Sequence, residues 1–319
     1  MRTSFLVTGV AGFIGSALAA ALLERGESVR GIDNFATGKR ENLLRCRELD
    51  FIEGDVADAE AARRACRGVQ VVFHEAAIPS VPRSVAEPLV SNRANVDATI
   101  NLLVAARAAG VERVIYAASS SAYGNNPKLP KGEDFIPAPL SPYAAAKLAG
   151  EHYLAAFHAS YGLTTVSLRY FNVFGPYQDA NSAYAAVLAR FINAMLDGTT
   201  PQVYGDGEQS RDFTYIDNVV AANLLAASVP GERVAGRMMN IATGNRMSLN
   251  QVLALLRPML GYTGEVHYGP ERTGDVQHSL ADIGRARELL GYEPQVSFAD
   301  GLEKTVAWYR SLRPAVSLR

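Results

Sequence analysis

The chain has 319 residues, 48% of them hydrophobic and 20% charged, with a net charge of −1. That length and composition fit one large globular domain with a smaller lobe. Scattered basic residues at a net charge close to zero exclude a nucleic-acid footprint, and no run approaches the roughly 18–20 uninterrupted apolar residues of a membrane span.

Residues 1–4 lead directly into an apolar run, without the longer apolar core of a signal peptide, so a cytoplasmic chain with no membrane partner is expected. A strand at 5–7 enters a glycine-spaced turn and a helix over 13–25, followed by strands at Ser28–Asp33 and 51–55. A helix over 58–67, a strand at 69–74, a long helical stretch over 88–109 and a strand at 111–118 continue the alternation. Pro127, Pro130, Pro137, Pro139 and Pro142 then crowd a segment that reads as a surface loop, ahead of a helix over 142–161 and a strand at 164–169. Strands alternating with helices of this length argue βαβ units and a parallel sheet covered on both faces.

Past Gly175-Pro176 the rhythm changes. Helices are expected over 184–197, 217–228, 248–260, 282–291 and 299–312, with strands at 201–204, 211–216 and 238–241. The fold class is therefore α/β: a doubly wound, Rossmann-type parallel sheet over residues 1–175, and a smaller α/β lobe over 176–319 whose segments return in part to the main sheet.

Gly9, Gly12 and Gly15 recur every third residue between the first strand and its helix. The first permits a tight turn, the second a close approach to a pyrophosphate, and the third close helix–sheet packing; the helix N-terminus then offers free N–H groups to the phosphates. Asp33 ends the second strand about 20 residues on, where a carboxylate accepts from both ribose hydroxyls and repels a 2′-phosphate. NAD is thus favoured over NADP, with Lys39 and Arg40 in the next loop as the opposing feature. Asp55, at the end of the third expected strand, can receive the adenine amine or stand as a solvated strand-end carboxylate.

Tyr143 and Lys147 lie four apart, one turn along a single helix face. A phenol has an unperturbed pKa near 10, so a general base at neutral pH needs a shift of about 3 units, or roughly 4 kcal/mol. Lys147 and an oxidised nicotinamide would supply the positive charge, while Ser119, at the end of the preceding strand, hydrogen-bonds the substrate oxygen. Cys46 and Cys66 stand in no metal or redox spacing, and the five histidines offer no ligand pair, so no metal is expected.

Six motifs carry a resemblance: TGVAGFIG (8–15), AASSSAYG (117–124), SPYAAAK (141–147), LRYFNVFGP (168–176), QSRDFTYIDN (209–218) and RTGDVQHSLAD (272–282). Over nearly its whole length the chain resembles the extended short-chain dehydrogenase/reductases, and more narrowly the nucleotide-sugar 4-epimerases, closest to the bacterial UDP-N-acetylglucosamine 4-epimerases. The resemblance implies a seven-stranded NAD-binding domain and a C-terminal nucleotide-sugar lobe, with Ser119, Tyr143 and Lys147 as catalytic residues. It also implies a homodimer built on the helices at 88–109 and 142–161. Further cofactor contacts are implied for Phe13, Ile14, Asn34, Gly38, Val56, Ala76, Ala77 and Asn95.

The related 4,6-dehydratases resemble Thr-Asp-Glu where this chain has Ser119-Ser120-Ser121, and the UDP-glucuronate decarboxylases resemble a Glu at the third position. Serines cannot act as the acid and base of an elimination at neutral pH, so what remains is oxidation at C4 and its reversal from the other face. A substrate with two phosphates calls for cations, and Arg211 and Arg272 are candidates. The resemblance adds Asn172 for the diphosphate, Asp275 for the ribose, and Ser80, Ser120, Ser121, Ala186, Val187 and Tyr204 around the substrate. Ser279 matches a position that is small in the acetamido-preferring epimerases and can be Tyr in glucose-type ones; a small side chain leaves room for a 2-acetamido group. Pro79 departs from the glycine of the acetamido-preferring relatives.

The expectation is a homodimeric NAD-dependent 4-epimerase of UDP-N-acetylglucosamine and UDP-N-acetylgalactosamine. UDP-glucose/UDP-galactose or UDP-hexuronic acids remain open as substrates. A nucleotide-sugar reductase and a non-catalytic NAD-sensing module are the alternatives from other classes.

Overall fold

The computed structural model describes residues 4–179, 187–271 and 276–313. The first half supplies strands β1 (Ser4–Thr8), β2 (Ser28–Asp33), β3 (Asp50–Glu53), β4 (Val71–His74), β5 (Arg113–Ser119) and β6 (Thr164–Tyr170). Among them run helices α1 (Phe13–Glu24), α2 (Ala59–Cys66), α3 (Val81–Ala86), α4 (Pro88–Asn92), α5 (Ala98–Ala108) and α6 (Pro142–Tyr161). Then come β7 (Val173–Phe174), α7 (Val187–Leu196), β8 (Gln202–Tyr204), β9 (Ser210–Arg211), β10 (Thr214–Tyr215), α8 (Ile216–Ser228), α9 (Gly231–Val234) and β11 (Arg237–Ile241). The chain closes with β12 (Met247–Ser248), α10 (Leu249–Leu260), β13 (His267–Gly269), α11 (Gly284–Leu290) and α12 (Phe298–Ser311).

Seven strands form one parallel sheet in the order β11-β6-β5-β4-β1-β2-β3. This is the expected doubly wound topology, with the strand order reversing between β1 and β4. Alternation along each strand sorts the core into two layers. Phe5 and Val7 of β1 pack with Leu18 and Leu22 of α1 and Val219 and Ala222 of α8. Leu6 points the other way, joining Ile32, Val72, Ala62 of α2 and Leu102 of α5. Among the described residues no helix is long and apolar enough to cross a membrane.

Three local expectations are corrected. The strand expected over 211–216 is two short strands in different ladders, β9 against β12 and β10 against β7. Between them Asp212 is buried and accepts from the N–H groups of Thr243, Gly244 and Ala281 and from the Thr243 hydroxyl, which stops the pairing there. The helical stretch over 88–109 is broken by a π turn at Arg93–Asp97, where the Asn95 amide donates to the Ser91 carbonyl at 2.9 Å. β3 ends at Glu53, so Asp55 lies in the loop beyond it, its Oδ1 accepting from the Ala57 N–H. The proline-rich segment is tied down at Lys131: the Lys131 N–H donates to Leu280, and its carbonyl accepts from Asp282 and from the Asn240 amide.

Helix α6 is set by its own sequence. Ser141 caps it through the Ala144 N–H and Pro142 occupies its first turn. Its attachment to the sheet is electrostatic as well as apolar. Arg169 of β6 donates from Nε and Nη2 to the two carboxylate oxygens of Glu151 at 2.8 and 2.6 Å, with the two side chains 2% and 7% exposed. The guanidinium also stacks 4.6 Å from the Tyr123 ring centre. Glu151→Gln keeps the shape but leaves Arg169 an uncompensated buried charge. It is expected to cost about 3–5 kcal/mol of stability, read as a lower urea midpoint with an unchanged slope.

Candidate active site

Parallel strands direct all their carboxyl ends to one edge, and there a cleft of about 1170 Å³ opens over the crevice between β1 and β4. At its floor is the turn after β1. Gly9 has φ +65°, and a side chain there would meet the backbone of Ala76 at 2.7 Å; one at Gly15 would stand 2.3 Å from the Gly9 carbonyl oxygen. The turn therefore brings α1 against the sheet with its amino end facing the cleft. Gly12 caps that helix without a side-chain acceptor, and its first turn holds no acidic residue. Free N–H groups with no competing anion fit a pyrophosphate.

Asp33 is buried at the end of β2, its Oδ2 accepting from the Ala11 N–H at 2.9 Å and its Oδ1 from the Phe35 N–H at 2.7 Å. Burial pushes its carboxyl up, while these backbone hydrogen bonds pull it down. Each oxygen keeps a further lone pair for a ribose hydroxyl. The two basic residues that weigh against NAD are already engaged. Lys39 pairs with Asp179 at 2.8 Å, and Arg40 pairs with Glu53 at 2.8 Å and stacks on Phe35. Phe13, Ile14, Asn34, Gly38, Asp55, Val56, Ala76 and Ala77 all line the cleft. Asn95 is buried, and its amide braces the Ile78 backbone and Ser91.

Ser119, Ser120, Ser121, Tyr143 and Lys147 come together along the cleft wall. The Ser119 hydroxyl is close enough to the Tyr143 phenol to favour its ionised form, and Ser121 Oγ donates to Ser119 Oγ at 2.8 Å. In the chain by itself, the downward pull expected from Lys147 and an oxidised nicotinamide together does not dominate the phenol. Burial pushes Tyr143 up, with the Ser119 hydroxyl acting against that rise. The reason lies in where the ammonium goes: Lys147 is buried, donates to the Ala117 carbonyl at 2.8 Å and sits 4.8 Å from the Tyr116 ring centre. Burial brings Lys147 down to about 8, opposed by the charges of Glu75 and Glu151.

On the substrate side, Ser80, Asn172, Arg211 and Ser279 line the same cleft. Asn172, at φ +34°, donates to the Asp212 carbonyl, and Arg211 reaches the carbonyls of Ser210 and Gln277. Tyr204 lies on β8, and Val187 begins α7. Their short elements follow the lobe's own ladder and core, with β8 paired to β13 and α7 packed on α10. Ala186, Arg272 and Asp275 lie outside the described residues. Among the described residues no group of three or more His, Cys, Asp or Glu could hold a metal.

Residues 5–242 match the model of the NAD dependent epimerase/dehydratase family. The chain belongs to that family. It is 40% identical over 316 residues to a UDP-glucose 4-epimerase of Mycolicibacterium smegmatis, covering 98% of this chain and 99% of that one. A UDP-N-acetylglucosamine 4-epimerase from Methanobrevibacter ruminantium, solved with UDP-N-acetylmuramic acid, superposes with a TM-score of 0.92 at 42% identity, covering 98% of this chain and all of the other. A UDP-glucose 4-epimerase of Thermus thermophilus, solved with NAD, gives 0.89 at 36%, with 98% and 100% covered.

Two cleft residues of this family member were not singled out from sequence. Glu75 follows β4, and Tyr170 ends β6 and donates to Glu75 Oε1 at 2.8 Å. A carboxylate directly after the strand that flanks the crevice was the available signal for Glu75. His74, next to it, is a satisfied core histidine bonded to Thr8 and Thr99 and held down to about 3 by burial.

Proposed function

We propose that this chain is an NAD-dependent UDP-sugar 4-epimerase, an isomerase, whose substrates are UDP-N-acetylglucosamine and UDP-N-acetylgalactosamine. NAD is its cofactor, held by the Gly9–Gly15 turn, the amino end of α1 and Asp33. When bound, it supplies a reversible two-electron acceptor for C4 of the sugar. Tyr143 takes the proton of the C4 hydroxyl and returns it after the sugar has turned over. Ser119 stands beside the phenol and accepts from Ser121, so the proton path has hydroxyl donors and acceptors at hand. No carboxyl group stands at 119–121, so the wall lacks the acid and base that loss of water would require.

The acetamido preference is carried by Ser279. It is 9% exposed, lines the cleft that holds Tyr143 and Arg211, and its N–H donates to the Ser210 carbonyl, fixing it in place. A two-atom side chain there leaves volume for a substituent on C2. The roles divide along the chain, with NAD held mainly by residues 1–175 and the nucleotide-sugar mainly by 176–319. A homodimer is part of the same reading, supported by exposed apolar side chains on α3 to α6: Val85, Leu89, Val104 and Tyr153. A cytoplasmic location accords with two free, buried cysteines.

Purified protein is expected to carry NAD and to interconvert the two sugars, followed by NMR, without added cofactor. Tyr143→Phe should lower kcat by about 10²–10⁴-fold while NAD content and thermal midpoint stay unchanged. Near-normal turnover at every pH would end the proposed proton role.

Ser279→Tyr should overpack the pocket by about 1–3 kcal/mol, a loss of roughly fivefold to more than a hundredfold in kcat/KM for UDP-N-acetylglucosamine relative to UDP-glucose. An unchanged ratio removes the acetamido preference and leaves UDP-glucose or a UDP-hexuronic acid. Sedimentation velocity should show a dimer that Leu89→Glu converts to monomer.

A further inference from the structure

One carboxylate in the cleft is unused by the proton path. β4 and β5 are parallel and their pairing ends at His74 opposite Tyr116, so Glu75 leaves β4 beside the point where β5 continues into Ala117. The Ala117 carbonyl is where the Lys147 ammonium is bound, at 2.8 Å. Glu75 is fixed in turn: Tyr170 donates to it at 2.8 Å, and the Asn223 amide donates to Tyr170 at 2.8 Å. The ends of neighbouring strands thus set a carboxylate and an ammonium in the same cleft.

We propose that Glu75 is a positioning residue that keeps the buried Lys147 ammonium charged and aimed into the cleft, an inference that rests on the epimerase reading for its role in turnover. Two carboxylates are near enough to favour that charge, Glu75 and Glu151. Glu151 is already matched by Arg169 in a bidentate pair, so its field is largely cancelled. Glu75 takes its hydrogen bond from a neutral phenol and keeps its field for the lysine.

The need is plain on physical grounds. Burial favours the neutral amine, and the positive ring of an oxidised nicotinamide in the same cleft would favour it further. A neutral Lys147 would stabilise neither a phenolate nor a ribose hydroxyl contact.

The other groups around Glu75 do not fill this role. His74 on its own strand is neutral, held down to about 3. Tyr116 from β5 and Tyr170 from β6 are pushed well above the usual phenol range by burial, and Tyr143 from α6 is also raised. Thr8 of β1 accepts from the Ala76 N–H, and Asn223 of α8 donates to Tyr170; neither side chain carries a charge. Burial raises Glu75 itself to about 7, against the hydrogen bond of Tyr170 and the charge of Lys147. With Lys147 at about 8, the charged pair exists in a window around neutral to mildly alkaline pH.

The test compares wild type, Glu75→Gln, Glu75→Asp and Tyr170→Phe holoenzymes by two readouts across pH: kcat for UDP-sugar epimerisation, and the rate at which bound NAD leaves the protein. Glu75→Gln keeps the shape and the acceptor for Tyr170 but loses the charge. It should move the alkaline limb of both profiles to lower pH by about one unit or more, and Glu75→Asp should restore it. Tyr170→Phe removes a bond that favours the carboxylate, so its acidic limb should move to higher pH while the alkaline limb stays.

Alkaline limbs of Glu75→Gln that overlay wild type in both readouts overturn the inference, as does an unmoved acidic limb in Tyr170→Phe. If wild type turns over no UDP-sugar, the epimerase reading fails, and NAD release alone decides the role of Glu75.

Discussion

Two buried cations hold helix α6 over the sheet, and the site depends on how they are satisfied. Arg169 reaches out from β6 to Glu151 on the helix, while Lys147 reaches back from the helix to the Ala117 carbonyl of β5. Neither charge can be buried without its partner, because an unpaired ion in an apolar core costs several kcal/mol. The helix therefore has one docking position in which both are met. In that position Tyr143, at the helix start, stands against Ser119 at the end of β5.

The same constraint explains why the electrostatics differ from a simple reading of spacing. A lysine one turn from a tyrosine is near it along the helix surface, but the ammonium goes to the nearest acceptor that compensates its burial. That acceptor is a backbone carbonyl. The phenol is left with a hydroxyl neighbour, and the positive charge that lowers it has to act across the cleft, from the Lys147 ammonium and from what enters with the ligands.

Much of this was legible in the chain itself. The glycine turn, Asp33 at the end of β2 and the Ser141-Pro142 start of α6 are local signals, each with a local mechanical reason, and the structure places them where those reasons put them. What escaped was decided by contacts distant in sequence. Asp212 splits an apparently continuous strand because its acceptors are taken by residues 243, 244 and 281. The direction of the shift at Tyr143 depends on desolvation, which no spacing reports. Glu75 looks like an ordinary strand-end carboxylate until β6 brings Tyr170 to it.

The return of β11 to the main sheet sets how the polypeptide can be divided. Residues 1–175 supply six of the seven strands, and the outer strand beside β6 arrives only at Arg237–Ile241. Severed before that point, the amino-terminal piece would present the whole flank of β6 as bare, apolar backbone edge, a template for sticking to other chains. The loop ahead of α6 would also lose its anchors at Leu280 and Asp282. A ribosome that has finished the cofactor half has therefore not yet made a foldable object. Its sheet must wait, with one side open, until about sixty further residues have emerged and the last strand slides into place.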